Sequence, residues 1–281
     1  MNVLLIDMTN LARKNAFAMV KKDVPFEGWE PWATRTLGDI MDFVSKFHAE
    51  RCILAMDDAV YWRTKIFPEY KANRRQFKED SIVDFDSLDA YYDAFMVRFQ
   101  NIFTNIFCLK VPRCEADDVI AVLTKQHAER GDACTIISAD KDFNQLKKYP
   151  GVVHYNPVMR KEILMLNPQR SLDIKVICGD PNDGIPPIRR GIGLKTAEKI
   201  LNAHTDIPNS SDTLLVENFR RNKQLIDFDF IPKEIISDII LEYEKEDTFT
   251  PISPKKVFPF IMEHRTIDSW QRNQIQMIKL I

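Results

Sequence analysis

Aspartates crowd the ends of apolar runs in this sequence. "NVLLID" ends on Asp7, "CILAMD" on Asp57 and "CTIISAD" on Asp140, with Asp142 following one residue beyond. "CEADDVIAVL" supplies Glu115, Asp117 and Asp118, of which Glu115 and Asp118 share a helix face. "GDPNDGIP" supplies Asp180 and Asp183 in a turn marked by proline and glycine. Each group alone has an ordinary structural reading. Acids in a helix's first turn complement its dipole, Asp with Asn, Pro and Gly makes turns, and Asp7 could be a lone cap. Asp58, next to Asp57, reads as a solvent-facing or loop residue. Placed on one rim, these carboxylates could not all ionise without counter-charge, because neighbouring anions raise one another's pKa. Divalent cations resolve that repulsion. Ligands that are all oxygen, with no histidine nearby, select hard ions, Mg²⁺ or Mn²⁺, over zinc. A pair of such ions about 3.5–4 Å apart activates water and steadies the leaving oxygen in phosphodiester hydrolysis.

Acids so far apart in sequence meet only if several strands end at one edge. Short apolar runs alternate with segments of helical period, which predicts an α/β fold with a largely parallel central sheet flanked by helices. The expected strands are 2–7, 52–57, 134–140 and 152–157; the expected helices are 34–49, 85–107 and 115–130, the last stopping at Gly131. In open α/β sheets, sites form in the crevice beyond the carboxyl ends of the strands. After about residue 170 the pattern turns to helices and loops. There "PPIRRGIGLKTAEKILNA" (186–203) reads as two short helices joined by a glycine turn. "PKEIISDIILEYEKE" (232–246) sets Ile235, Ile236, Ile239, Ile240 and Tyr243 on one core-facing stripe. The expected division is a core over 1–170 and a helical region over 171–281, with no internal repeat.

Composition narrows the class less than the motifs do. The 281 residues are 45% hydrophobic, enough to bury a sizeable core. Fifteen prolines against 8 glycines do not describe a low-complexity chain. Net charge is -2 from 39 basic and 41 acidic residues, so any partner must be read from clusters and not from the total. No apolar run is long enough to span a bilayer, and the N-terminus opens like a strand, without a signal peptide's basic start. The expectation is a cytoplasmic protein that uses no membrane. The 5 cysteines form no CxxC pair and read as small buried hydrophobes in a reducing compartment.

Directly after Asp57, "YWRTKIFPEYKANRRQFKED" interleaves Arg63, Lys65, Lys71, Arg74, Arg75 and Lys78 with Tyr61, Trp62, Phe67 and Tyr70. A charge run is usually a solvated face. Hung over an acidic rim, its cations would grip phosphates and its aromatics would stack on unpaired bases. "RRGIGLKTAEKI" offers backbone N–H groups at a helix start among Arg189, Arg190, Lys195 and Lys199, a sequence-independent grip on a duplex backbone. A lone GxG is otherwise just a tight turn.

These motifs, in this order, resemble the 5′-nuclease family: flap endonucleases, the 5′-nuclease domains of bacterial DNA polymerases and phage 5′–3′ exonucleases. The likeness runs from "LLIDMTNLAR" through "AMDD", "PEYKANRR", "EADDVIAVL" and "SADKDF" to "GDPNDGIP" and "GIGLKTAEKIL", about the first 200 residues. The tail "LIDFDFIPKEI" and the overall length are most like the T-even bacteriophage branch, although the glycine motif is kept here and departs in that branch. The resemblance implies a PIN-like nuclease core with a helical arch over 60–85 and a helix–three-turn–helix element at about 185–204. It implies a structure-specific nuclease acting near 5′ ends, on flaps, nicked or 5′-ended duplexes, or RNA primers in RNA/DNA hybrids, during replication. By motif, Asp7, Asp57, Glu115, Asp117, Asp118, Asp140, Asp142, Asp180 and Asp183 match the metal-site acids. One ion would lie near Glu115, Asp117, Asp140 and Asp142, and a second toward Asp7, Asp180 and Asp183. Lys71 and Arg74 match the arch residues at the scissile phosphate, with Arg63, Tyr70 and Arg75 beside them as nucleic-acid contacts. Arg189, Arg190, Gly191, Gly193, Lys195 and Thr196 would hold the duplex, with K⁺ bound at the same turn. A monomer is expected, with a single-stranded-DNA-binding protein or a sliding clamp as protein partner.

Three rivals remain. A PIN-type ribonuclease shares the acidic site but is typically much shorter and lacks the basic segment and glycine turn. A phosphatase of the haloacid dehalogenase type needs an aspartate where Thr9 stands. A structure-specific DNA-binding protein without catalysis would have broken carboxylate positions, and none is broken.

Overall fold

Six strands, β1 (Asn2–Asp7), β2 (Arg51–Met56), β3 (Ile106–Lys110), β4 (Ala133–Ile137), β5 (Val152–Asn156) and β6 (Lys161–Glu162), make one sheet in the order β3-β2-β1-β4-β5-β6. All neighbours pair in parallel except β6, which runs antiparallel to β5. The computed structural model describes residues 1–21, 28–100, 102–103, 105–247 and 254–277. Around the sheet lie α1 (Met8–Met19), α2 (Glu30–Lys46), α3 (Arg63–Ile66), α4 (Asn73–Glu79), α5 (Phe85–Gln100) and α6 (Ala116–Glu129). The chain continues through a 3₁₀ helix at Lys141–Lys148, then α7 (Pro168–Cys178), α8 (Leu194–Asn202), α9 (Thr213–Ile226), α10 (Lys233–Asp247), α11 (Pro254–Glu263) and α12 (Ile267–Met277).

Both faces of the sheet are covered, so its central strands are apolar throughout. The two-residue period sends Leu4 and Ile6 of β1 into one core with α1, α2, α5 and α11, and Val3 and Leu5 into another with α6 and α10. On α10, Ile235, Ile239 and Tyr243 are buried as expected, with Ile236 and Ile240 packed at the margin.

The sequence pattern ran one helix from 85 to 107, but α5 ends at Gln100 and an unforeseen strand, β3, begins at Ile106. The apolar positions of β3 alternate: Ile106 and Cys108 enter the α5 core, Phe107 and Leu109 the α6 core. A short buried strand directly after an aromatic helix reads as more helix, because apolar runs of this length do not separate the two. Strand β6 was also unforeseen, since its two residues are exposed and carry no apolar signal.

A second correction concerns 186–203. Its N-terminal half forms no helix; α7 is the first arm of the helical pair and α8 the second. Between them Gly179 (φ +72) begins a reversal in which Asp180 bridges Ile185. A Cβ at Gly179 would stand 2.3 Å from the Ile185 carbonyl oxygen, so no other residue fits. The Asn222 amide of α9 donates to the Val176 and Pro186 carbonyls at 3.0 and 2.8 Å, pinning this loop to α7. Among the described residues no strand follows β6. None of the described helices is long and apolar enough to cross a membrane.

Candidate metal centre and nucleic-acid groove

The carboxyl ends of β1, β2 and β4 meet as the parallel topology requires. Asp7 closes β1 and caps α1, its Oδ1 accepting the Asn10 amide at 2.9 Å, while Ser138 Oγ donates to Oδ2 at 2.9 Å. Asp57 follows β2 and accepts the Ala116 amide at 2.8 Å, tying the β2 end to the start of α6. Asp58 lies in the loop after β2, and its Oδ2 accepts the Arg113 amide at 2.7 Å. Asp140 is exposed and caps the 3₁₀ helix by accepting the Asp142 amide at 2.9 Å. A pocket of about 90 Å³ is lined by Asp7, Asp57, Glu115, Asp117 and Asp140, with Arg13, Lys71 and Arg74 at its margin. Burial, then the charges of Asp57 and Asp140, push the Asp7 carboxyl up to about 7. A group held there invites a cation.

Glu115 and Asp118 form a capping box at the start of α6 and are almost fully buried. Arg63 offsets their charge from α3. Its Nη1 lies 2.7 Å from Glu115 Oε2 and 3.0 Å from Asp118 Oδ2, and its Nη2 lies 2.8 Å from Asp118 Oδ1. Its Nε donates to the Leu225 carbonyl at 2.9 Å. Trp62 Nε1 donates to Asp118 Oδ2 at 2.9 Å, and the Tyr70 hydroxyl donates to Glu115 Oε2 at 3.0 Å. Three residues set among DNA-facing groups by sequence, Arg63, Trp62 and Tyr70, are thus 2–5% exposed and bound to the acids. The reason is local: their segment runs across the N-terminus of α6, where buried carboxylates need donors more than solvent does.

Asp118 Oδ2 accepts from these donors, and its Oδ1 lies 2.8 Å from Arg63 Nη2 without a hydrogen bond, while Glu115, Asp117 and Asp118 bring oxygens within 4.8 Å of one another, a spacing that could hold an ion. Asp117 differs. Its Oδ1 is buried and accepts no hydrogen bond, with Arg63 Nη1 standing 3.6 Å away. Burial raises the Asp117 carboxyl well above its usual range, against the pull of Arg63. Burial acts on Glu115 too, but Arg63 and Lys71 outweigh it and keep that carboxyl ionised. An orphaned carboxylate oxygen beside an ionised glutamate and Asp7, with only oxygen donors around, fits a hard divalent cation.

A second group forms where the 3₁₀ helix meets α7. Lys175 Nζ contacts Asp142 Oδ1 and lies 2.7 Å from Asp180 Oδ2. Burial pushes Asp142 up to about 6 against the pull of Lys175. For Asp180, Lys175 and backbone amides outweigh burial and hold the carboxyl low. Asp183 pairs with Arg74 Nη2 at 2.8 Å, and its carbonyl accepts the Lys71 amide at 2.9 Å. Asp7 belongs with Glu115 and Asp117, Asp142 belongs with Asp180, and Asp140 borders both. Lys175 and Arg13 were missed, and a lone lysine inside the apolar run "DIKVIC" was the available signal for the first.

Lys71 holds a left-handed backbone (φ 57), and its Nζ contacts Glu115 Oε1 and lies 3.9 Å from Asp183 Oδ2. Lys71 and Arg74 thus stand over the acids. The Arg75 side chain lies outside the described residues. From Asp140, Asp142, Asp180 and Asp183 a groove of about 900 Å³ runs past Lys175 to Ile192, Gly193 and Leu194. Arg189, Arg190, Gly191, Gly193, Lys195 and Thr196 are all exposed along the turn that leads into α8.

A parallel sheet with acids at its carboxyl ends, a basic cover and a glycine turn defines a nuclease of the 5′–3′ exonuclease class. The family model for the 5′-3′ exonuclease N-terminal, resolvase-like domain matches residues 2–172, more than half of the chain, and the chain belongs to that family. It is similar to the ribonuclease H of Enterobacteria phage T4, at 29% identity over 216 residues, 69% of each chain. It is also similar to DNA polymerase I of Rhizobium leguminosarum, at 33% identity over 55% of this chain but only 14% of that much longer protein. The fold matches that of the phage T5 D15 flap endonuclease, solved as a pseudo-enzyme–product complex with DNA and metal ions (TM-score 0.66, 19% identity, 89% of this chain and 100% of that one).

Proposed function

We propose that this chain is a divalent-metal-dependent 5′ nuclease that hydrolyses phosphodiester bonds at 5′ flaps, nicks and 5′-ended duplexes, including RNA/DNA hybrids, in replication. The observation that carries the reading is the pocket in which Asp7, Asp57, Glu115, Asp117 and Asp140 converge beneath Lys71 and Arg74. Asp7, Glu115, Asp117 and Asp140 would hold one ion, and Asp142, Asp180 and Asp183 the other. When bound, Mg²⁺ or Mn²⁺ would polarise the scissile phosphate and lower the pKa of the attacking water. The protein's own residues do the rest. Lys71 and Arg74 exchange their carboxylate partners for the non-bridging oxygens of the incoming phosphate and offset charge that grows in the transition state. Ser138 and the Asn10 amide fix both oxygens of Asp7, so that this carboxylate is aimed before substrate arrives. Arg63, Trp62 and Tyr70 hold Glu115 rigid in the same way.

The groove that leads away to the glycine turn suits a duplex backbone gripped by exposed N–H groups and by Arg189, Arg190 and Lys195. K⁺ at that turn, a monomeric state, a cytoplasmic location and docking to a single-stranded-DNA-binding protein or clamp complete the reading. The test uses a 5′-labelled flap with and without Mg²⁺, with products sized. The variant carrying Asp140→Asn and Asp142→Asn should lose Mg²⁺-dependent cleavage while still binding duplex. Undiminished turnover by that variant would refute the assignment.

A further inference from the structure

Lys175 is set apart from the cations of the arch. It lies in α7 between the apolar Ile174 and Val176, yet its ammonium reaches back to the rim. There it contacts Asp142, delivered by the 3₁₀ helix, and Asp180, delivered by the reversal after α7. One ammonium thereby ties the sheet to the helical region. We infer that Lys175 is a built-in competitor of the second divalent ion: it holds Asp142 and Asp180 together, and it must leave when an ion takes those carboxylates. The inference rests on the metal-dependent reading above.

The oxygens decide it. Asp180 Oδ1 already accepts the Asn182 amide at 2.9 Å, which leaves Oδ2 the more open oxygen for a cation, and Lys175 is on it. Asp142 Oδ1 is likewise met by Lys175. An ammonium left between these oxygens would stand within contact range of a dication bound to them, and like charges at such distances repel strongly outside bulk water. The flexible four-carbon stem lets the ammonium swing out, and the groove of about 900 Å³ beside it gives it room. The first acid group is built differently: Lys71 holds Glu115 Oε1 there, but Asp117 Oδ1 is left without a hydrogen bond. An ion at that group can take Asp117 Oδ1 without displacing an ammonium, whereas the second ion must exchange with Lys175, so the second is the one Lys175 weakens. Lys175 is in this sense a positioning residue that sets the ion concentration at which the site is complete.

Mn²⁺ titration of the full chain without DNA, followed by calorimetry and by the electron paramagnetic resonance of free Mn²⁺, tests the idea. For Lys175→Met the second dissociation constant should fall about tenfold or more, equivalent to about 1.4 kcal/mol, with the first unchanged. Lys175→Arg, which keeps the charge, should leave the second ion weak. Equal second-ion affinity in the wild type and Lys175→Met, or weaker binding in Lys175→Met, overturns the inference. Failure of every protein to bind any ion overturns the metal reading itself. Should Lys175→Met not fold, reductive methylation of the wild type read by mass spectrometry gives the same answer. Lys175 should label faster as Mn²⁺ saturates the protein, while Lys148, paired with Asp229, should not change. A Lys175 rate that stays constant or falls overturns the inference.

Discussion

Replacing Arg63 by alanine tests the most heavily committed side chain in the site. Arg63 is 2% exposed and bridges Glu115 and Asp118, which are 1% and 0% exposed. Its removal takes the guanidinium from two buried carboxylates, leaving Glu115 to Tyr70 and Lys71 and Asp118 to Trp62 and the Glu115 amide, and leaves the Leu225 carbonyl without its donor. Breaking a buried ion pair from one side costs about 3–5 kcal/mol. Total stabilities run to about 5–15 kcal/mol, so Arg63→Ala should remove a large fraction of the folding free energy. Arg63→Lys should fall between alanine and wild type, since an ammonium keeps the charge but not the fork that serves both acids and the Leu225 carbonyl. Urea unfolding followed by circular dichroism measures the ranking. Arg63→Gln, which removes the charge, separates burial from DNA contact through the salt dependence of duplex binding. A lost phosphate contact lowers that slope by about one, and a buried arginine gives no change. An Arg63→Ala protein that loses less than about 1 kcal/mol, the range of an exposed pair, would refute the reasoning.

Other outcomes follow from single contacts. Lys71→Ala should cut turnover on a flap more than affinity for it, and a change confined to the dissociation constant would make Lys71 a plain anchor. Gly179→Ala should disorder the Asp180–Ile185 reversal and weaken second-ion binding, because its Cβ would meet backbone at 2.3 Å; normal Mn²⁺ stoichiometry would contradict this. Mn²⁺ affinity should rise with pH through the range of about 6 to 7, where Asp142 and Asp7 lose their protons, and a flat profile would count against them as ligands. His127 is buried between Asp132 and the Tyr243 hydroxyl, and burial holds its pKa below the ordinary value. The unfolded chain therefore takes up that proton first, and stability due to His127 is lost as pH falls below about 6.5. The stability gap between wild type and His127→Gln should narrow from pH 7 to pH 5, as read by urea midpoints at each pH.

The parallel order of β1, β2 and β4 was legible because each ends its apolar run at or near an aspartate, and a parallel sheet puts such ends on one edge. The same alignment made Asp7, Asp57, Glu115, Asp117 and Asp140 legible as one group. Strand β3 was not legible, since its two-residue period shows only once both cores are in place. Nor was the fate of the arch's first half. Arg63, Trp62 and Tyr70 have the composition of a nucleic-acid surface, and nothing in their spacing says that they cross the start of α6 and satisfy buried acids there.

The sequence by itself determined the chemistry, because residue type sets ligand hardness and strand ends set convergence. Only the tertiary structure decided how the charges pair. Arg63 belongs to Glu115 and Asp118, and Lys175 belongs to Asp142 and Asp180. Pairing depends on distances of a few ångströms between elements far apart in the chain, and Coulomb energies and desolvation costs at that scale are fixed by packing, not by order along the sequence.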